Sequence, residues 1–254
     1  ALEFSILQNI PHEALSLLVI QRLNSELDNK LDLSIKIFKG EYERKFFNQL
    51  VSSQLDIDRL DYLQRDCFFT GVSEGAIGAD RIIKMMDIKD DRLVIEEKGI
   101  YSIENFLSAR RLMYWQVYLH KTTVSAEKMM ISLINRAKYL MQNGQNLIAT
   151  DELCYFLKGN FSLSDFKNNE ASLENFLTLD DFDIWGAIKL WKNSQDYILK
   201  NLSRMFLDRN LFKINLRNEE FSQGEIEDEK SKLLKKLQIP EKDLPYFFNH
   251  GVLS

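Results

Sequence analysis

The densest polar constellation in the chain is the run Leu55-Asp56-Ile57-Asp58-Arg59-Leu60-Asp61-Tyr62-Leu63-Gln64-Arg65-Asp66-Cys67. Asp58, Asp61, Tyr62 and Arg65 stand at i, i+3, i+4 and i+7, which places them on one face if the run is helical. Leu60, Leu63 and Cys67 then fall opposite, with Ser53 and Asp56 near the helix start. A carboxylate-rich edge anchored by an apolar back suits a hard cation, which takes oxygen ligands, or a sugar hydroxyl. The same spacing also describes a solvated face stitched by an Asp61–Arg65 pair, and the run by itself leaves the two readings level.

Side chains so spaced must be carried by helices, and the chain permits helices almost throughout. Its three prolines are Pro11, Pro240 and Pro245, so residues 12–239 lack the strongest helix breaker. Pro11 has a φ suited to a first helical turn, and Ala14, Leu15, Leu17, Leu18, Ile20 and Leu23 supply an apolar stripe to about Asn24. Apolar spacing of three and four predicts further helices near 41–52, 57–68, 79–86, 103–119, 123–143, 150–158, 180–193 and 195–207. Arg92 to Glu96, then Glu97-Lys98-Gly99, then Ile100-Tyr101 predict two brief strands around a glycine turn. Residues 159–179, rich in Asn, Ser and Asp, predict a loop. Glu225, Glu227, Asp228 and Glu229 ahead of Lys230, Lys232, Lys235 and Lys236 match the dipole of one surface helix. The expected fold is all-α, a helical bundle with a small β-hairpin and a C-terminal helical lobe. The expected division is a core over 1–150 and a lobe over 151–254.

Composition bounds the function class. With 254 residues, 45% hydrophobic and 28% charged, the chain can bury a sizeable core. A net charge of −5 with both signs interspersed gives no basic stripe for nucleic acid. Cys67 and Cys154 have neither disulfide nor zinc spacing, which fits a reducing, cytoplasmic home. No apolar run reaches the roughly 20 residues of a membrane span, and the first residues lack a signal-peptide layout. Ala1-Leu2-Glu3-Phe4 starts in mid-pattern with no initiator Met or cap, so the chain is expected to begin inside a helix, and its end also reads as a truncation.

The wording of the run, LDIDRLDYLQRDC, resembles the distal metal-ligand helix of HD-domain phosphohydrolases, especially the deoxynucleoside triphosphate triphosphohydrolases. Sites of that family bind a divalent metal through an upstream His, a His-Asp doublet and a distal Asp, and Asp58 occupies the last position. No His-Asp pair occurs here, and the histidines are His12, His120 and His250. The resemblance implies that Ala1-Leu2-Glu3 continues a helix beyond the doublet. Pro11-His12-Glu13 resembles the family's His-Glu element beside the scissile phosphate, and Tyr118-Leu119-His120-Lys121 resembles a Tyr-x-His-Lys element of the nucleotide pocket. The similarity covers most of residues 1–215 and is strongest between 50 and 130.

By this resemblance, a divalent metal (Mn, Mg, Fe, Ni or Zn) would lower the pKa of a bound water and polarise a phosphoryl oxygen. His12 would be the catalytic residue, giving a proton to the sugar 5′ oxygen. Arg59, Arg110 and Lys121 would bind the triphosphate. Tyr62 and Asp66 would meet the sugar and its 3′ hydroxyl, and Tyr118 would pack flat against the ring where a 2′ hydroxyl cannot fit. Arg59 departs from the Lys of better-known relatives and Leu119 from a polar residue near the base, which leaves base preference open. Arg209-Asn210-Leu211-Phe212-Lys213 resembles a strand region that in some relatives holds an effector nucleotide between subunits.

The expected function is therefore a metal-dependent hydrolase cutting a deoxynucleoside triphosphate into nucleoside and triphosphate. The expected state is a homo-dimer or higher oligomer, with Tyr114-Trp115 offering aromatic contact area. The competing readings are a regulatory nucleotide-binding protein without catalysis, an HD hydrolase of another phosphoester, and a helical scaffold whose acidic face is surface.

Overall fold

The structure is a computed structural model that describes residue 7 and residues 10–252, so the expectation for Ala1-Leu2-Glu3 lies outside the described residues. The chain forms two compact units, one of residues 16–120 and one joining the residues up to Leu15 with those from Lys121 onward. The mostly helical architecture with one small hairpin is the one the sequence predicts.

Helix α1, His12–Glu26, starts as predicted after Pro11, whose carbonyl accepts from Ala14 N at 3.0 Å. Helix α2, Asp32–Phe38, was not anticipated by apolar spacing, and none of its residues is buried. The turn before it is held by buried Asn24, whose Oδ1 accepts from Leu31 N at 2.7 Å while its amide donates to Asp32 Oδ1 at 2.8 Å. Asp28 and Asn29 supply the left-handed residues the turn needs.

Helix α3, Lys45–Val51, has no side-chain cap from its own N-cap residue, Arg44. Asp91 caps it from 46 positions away: Lys45 N donates to Asp91 Oδ2 at 2.7 Å, and Arg44 Nε to Asp91 Oδ1 at 3.0 Å. Asp91 sits in the turn of the hairpin, whose strands are β1, Met86–Lys89, and β2, Arg92–Ile95. They pair antiparallel from Met86 with Ile95 to Lys89 with Arg92, and Asp90 and Asp91 have φ of 51° and 58°, the two-residue turn that matches strand twist.

The hairpin therefore lies one strand earlier than the sequence predicts. Glu97–Gly99 forms a 3-10 turn instead, because Gly99 packs where a Cβ would stand 2.7 Å from Ile95 Cγ2 and 3.0 Å from Met85 Cβ. Ile100 then opens helix α6, Ile100–Met113, following α4, Ile57–Thr70, and α5, Ala79–Lys84. Leu60, Leu63, Ala79, Ile82, Phe106 and Met113 form the core of this unit, joining α4, α5 and α6. After Met113 the helix widens into a π turn, Tyr114–Tyr118, closed by Leu119 N donating to Tyr114 O at 2.8 Å.

The other unit is built on helix α7, Lys121–Gln142, which buries Met129, Leu133, Ile134, Ala137 and Leu140. Helices α8, Asp151–Lys158, α11, Asp181–Trp191, α12, Tyr197–Leu207, and α13, Gln223–Leu237, follow the predicted windows. The predicted loop at 159–179 instead holds α9, Leu163–Asn168, and α10, Glu170–Thr178. The polar residues that read as loop are helix caps: Ser162 and Asp165 form a capping box, and Asn169 Oδ1 accepts from Ala171 N at 3.1 Å. Residues 210–216 hold no strand, which corrects that expectation for Arg209 to Lys213. Among the described residues no helix is long and apolar enough to cross a membrane.

Candidate active site

Helix α4 carries the carboxylate-rich run, and its start is fixed by Asp56, 2% exposed. Asp56 Oδ1 accepts from Arg59 N at 2.8 Å, satisfying a backbone donor of the first turn. Its other oxygen pairs with the Arg59 guanidinium, which also donates to Ser53 O at 2.7 Å. Arg59 is thus folded back on its own N-cap, with its charge compensated. Asp58, the predicted metal ligand, is exposed immediately before Arg59. Asp61 and Arg65 form the surface pair that the sequence allowed, at 2.9 Å.

On the same helix, Tyr62 and Asp66 lean toward the π turn. The Tyr118 hydroxyl donates to Asp66 Oδ2 at 2.5 Å, and the Tyr118 ring meets the Tyr62 ring edge-on at 6.2 Å. Tyr114 meets Tyr118 edge-on at 5.2 Å. Arg110, one turn before, places its guanidinium 5.8 Å from the Tyr114 ring centre and donates to Gln54 Oε1 at 2.9 Å. Tyr62, Asp66, Arg110 and Tyr118, spread over 57 positions of sequence, thus converge in one unit.

The electrostatics follow from these contacts. Burial, then the hydrogen bond to Asp66 and its charge, hold the Tyr118 hydroxyl well above the usual tyrosine range. Burial and neighbouring Tyr114 also push Tyr62 up, against the nearby charges of Arg110 and Arg59. Both phenols therefore stay protonated at neutral pH, and that of Tyr118 donates to Asp66. Arg59 is neutralised by Asp56, whereas Arg110 donates to the neutral amide of Gln54, so Arg110 keeps its net charge beside the tyrosines.

His12 and Lys121 belong to the other unit. His12 is exposed at the start of α1, its Nε2 3.3 Å from Glu13 Oε1. Lys121 is exposed at the first position of α7. Spacing alone passed over three contributors: Gln54, Asp56 as a partner of Arg59, and Tyr114 as a centre of ring contacts. The four-residue steps from Arg110 through Tyr114 to Tyr118 were a signal that could have revealed the last.

An exposed carboxylate such as Asp58 is chemically fit to be one oxygen ligand of a divalent cation. Among the described residues, however, no group of three or more His, Cys, Asp or Glu side chains could hold a metal ion. The described residues therefore do not by themselves fit the four-ligand centre that the sequence resemblance implies.

Comparison with known proteins places this geometry. Residues 77–154 match the HD associated region. That segment carries Arg110, Tyr114, Tyr118 and Lys121, but not Asp58. The fold matches the crystal structure of a phosphohydrolase from Bacteroides thetaiotaomicron with a TM-score of 0.92 and 51% identity, over 96% of this chain and 61% of that one. The uncharacterized protein YwfO of Bacillus subtilis is 38% identical over 177 residues, covering 70% of this chain and 39% of YwfO. A deoxynucleoside triphosphate triphosphohydrolase SAMHD1 homolog of Dictyostelium discoideum is 27% identical over 108 residues, 41% of this chain and 21% of that protein. The chain thus spans well under two thirds of the curated relatives it matches. It is a mostly helical, phosphohydrolase-like chain with an HD associated region.

Proposed function

We propose that the whole protein is an HD-type, metal-dependent phosphohydrolase that cleaves deoxynucleoside triphosphates into nucleoside and triphosphate. The observation that carries the reading is the convergence of Tyr62, Asp66 and Tyr118, joined by the 2.5 Å Tyr118–Asp66 bond, beside the net charge of Arg110. Two ring faces and a carboxylate acceptor suit a deoxyribose and its 3′ hydroxyl, and a guanidinium suits a phosphate. The similarity to a solved phosphohydrolase supports the reaction class, and the partial similarity to a triphosphohydrolase supports the substrate.

Within this reading the chain's own residues bind and orient. Asp66 accepts the 3′ hydroxyl after exchanging its bond with Tyr118, whose ring then lies along the sugar. Arg110 takes the phosphates most readily, because Arg59 must first leave Asp56. Asp58 contributes one metal ligand, and a complete centre needs groups beyond those the described residues assemble around it. The roles of proton donor for His12 and phosphate contact for Lys121 rest on the sequence resemblance.

The test is product analysis of the whole protein with Mn, Mg or Fe, together with Asp58→Ala. Release of intact triphosphate that Asp58→Ala abolishes is the expected result. Stability should change by less than about 0.5 kcal/mol, since Asp58 is exposed. Release of only orthophosphate or pyrophosphate, or full activity in Asp58→Ala, rejects the reading. The tyrosine cluster, Asp66 and Arg110 would equally serve a second reading, a nucleotide-binding regulator without hydrolysis, because holding a sugar and a phosphate does not itself require a metal. Nucleotide binding with no turnover under any of these metals would establish it.

A further inference from the structure

Met113 immediately before the π turn at Tyr114–Tyr118 is fully buried, whereas no residue of the turn is, and only Val117 and Tyr118 of the turn pack against the core from its edge. Widening a helix by one residue costs hydrogen-bond geometry and occurs mostly at functional positions. One residue gained shifts all that follows by about 100° around the axis. Tyr114 is the residue whose carbonyl closes the widened ring. Its side chain, 40% exposed, meets the Arg110 guanidinium on one side and the Tyr118 ring on the other, and the Tyr118 ring in turn meets that of Tyr62. Two groups of the proposed pocket therefore share one neighbour that nothing in the pocket chemistry itself requires.

We propose that Tyr114 is a positioning residue: its ring, fixed by the π turn, holds Arg110 and Tyr118, and through Tyr118 the ring of Tyr62, in the arrangement that receives a nucleotide. The inference rests on the function proposed above. The ring contacts are those of an aromatic face and edge, so they survive loss of the hydroxyl and fail with an aliphatic side chain of similar bulk. Because Tyr114 acts through residues that bind, its loss weakens binding more than turnover.

Two measurements on Tyr114→Phe and Tyr114→Leu test this. In the first, NMR of tyrosine-labelled protein follows the Tyr62 and Tyr118 ring signals, which should shift in Tyr114→Leu and stay near their original positions in Tyr114→Phe at Tyr118. In the second, the whole protein is assayed on deoxynucleoside triphosphates. Tyr114→Leu should raise KM about tenfold with kcat within about threefold, and Tyr114→Phe should remain within about threefold in KM. A purely structural role would lower the folded fraction and leave KM alone. Ring signals that do not move in Tyr114→Leu overturn the proposal, as does an unchanged KM in an active, folded Tyr114→Leu protein. Moved signals in a protein whose unmutated form hydrolyses no deoxynucleoside triphosphate leave Tyr114 as the organiser of the cluster and reject the proposed activity instead.

Discussion

Tyr118 gives the site its most testable residue, because a single oxygen does two things. Its hydroxyl satisfies Asp66 while the ring packs against the core around Leu63 and Met113. Tyr118→Phe keeps the packing and removes the bond, so it should cost about 1 kcal/mol in chemical denaturation, kept small because Asp66 is half-exposed and can rehydrate. The sign of the pH effect follows from a hydroxyl held above the usual tyrosine value of 10.0. The folded state resists its ionisation, so its stabilising contribution is full below about pH 10 and is lost as pH rises through the folded value. The alkaline fall in stability should therefore be shallower in Tyr118→Phe than in the unmutated protein. An equal slope in the two would remove Tyr118 as its source.

At the scale of elements, the approach of the 3-10 turn Ser73–Gly75 to α4 and α6 sets where the cluster lies. A Cβ on Gly75 would stand 2.5 Å from Met113 Sδ, 2.7 Å from its Cγ and 3.2 Å from Cys67 Cβ. Gly75→Ala should displace Met113 and cost about 1–3 kcal/mol, measured by thermal or urea unfolding. A neutral result would mean the turn is free to move off both helices. Much of this framework was legible in the sequence: the 57–68 window, the apolar Leu60 and Leu63, and the acidic-to-basic gradient of α13 needed only local periodicity. Of the candidate site residues read from the sequence, Tyr62, Asp66, Arg110 and Tyr118 converge, while His12 and Lys121 belong to the other unit. What escaped was what depends on contacts distant in sequence. The strand partner of Arg92–Ile95 is fixed by a two-residue aspartate turn, not by the glycine that looked like one. The helices at 163–168 and 170–178 are short, and their caps look like loop composition. The pairing of Arg59 with buried Asp56 is likewise a contact that residue type alone does not announce.

At the largest scale, each compact unit has its own means of holding distant segments. In the unit from Lys121 onward, Arg136 of α7 donates to Asp196 Oδ2 at 2.6 Å and to Asp243 Oδ1 at 3.2 Å, tying the start of α12 and the C-terminal 3-10 turn Glu241–Tyr246 to the central helix. Its guanidinium also lies 5.1 Å from the Tyr246 ring centre. Arg136→Ala strands the buried carboxylate of Asp243 and the part-buried one of Asp196 and should destabilise by about 3 kcal/mol, whereas Arg136→Met with both partners made apolar should recover most of the loss. Unfolding curves for the two variants decide this, and a mild Arg136→Ala would mean that water reaches the acids. In the unit of residues 16–120, Asp91 joins the hairpin turn to the first turn of α3. Those hydrogen bonds hold its carboxyl below the usual range, so the link persists above about pH 4 and is lost as pH falls through that lowered value. A second tie joins the same two elements, Leu93 N of β2 donating to Gln49 Oε1 of α3 at 2.7 Å. Amide protons of Lys45–Val51 and of the two strands should therefore exchange with deuterium as one cooperative block, and Asp91→Ala combined with Gln49→Ala should split that block into two that open independently.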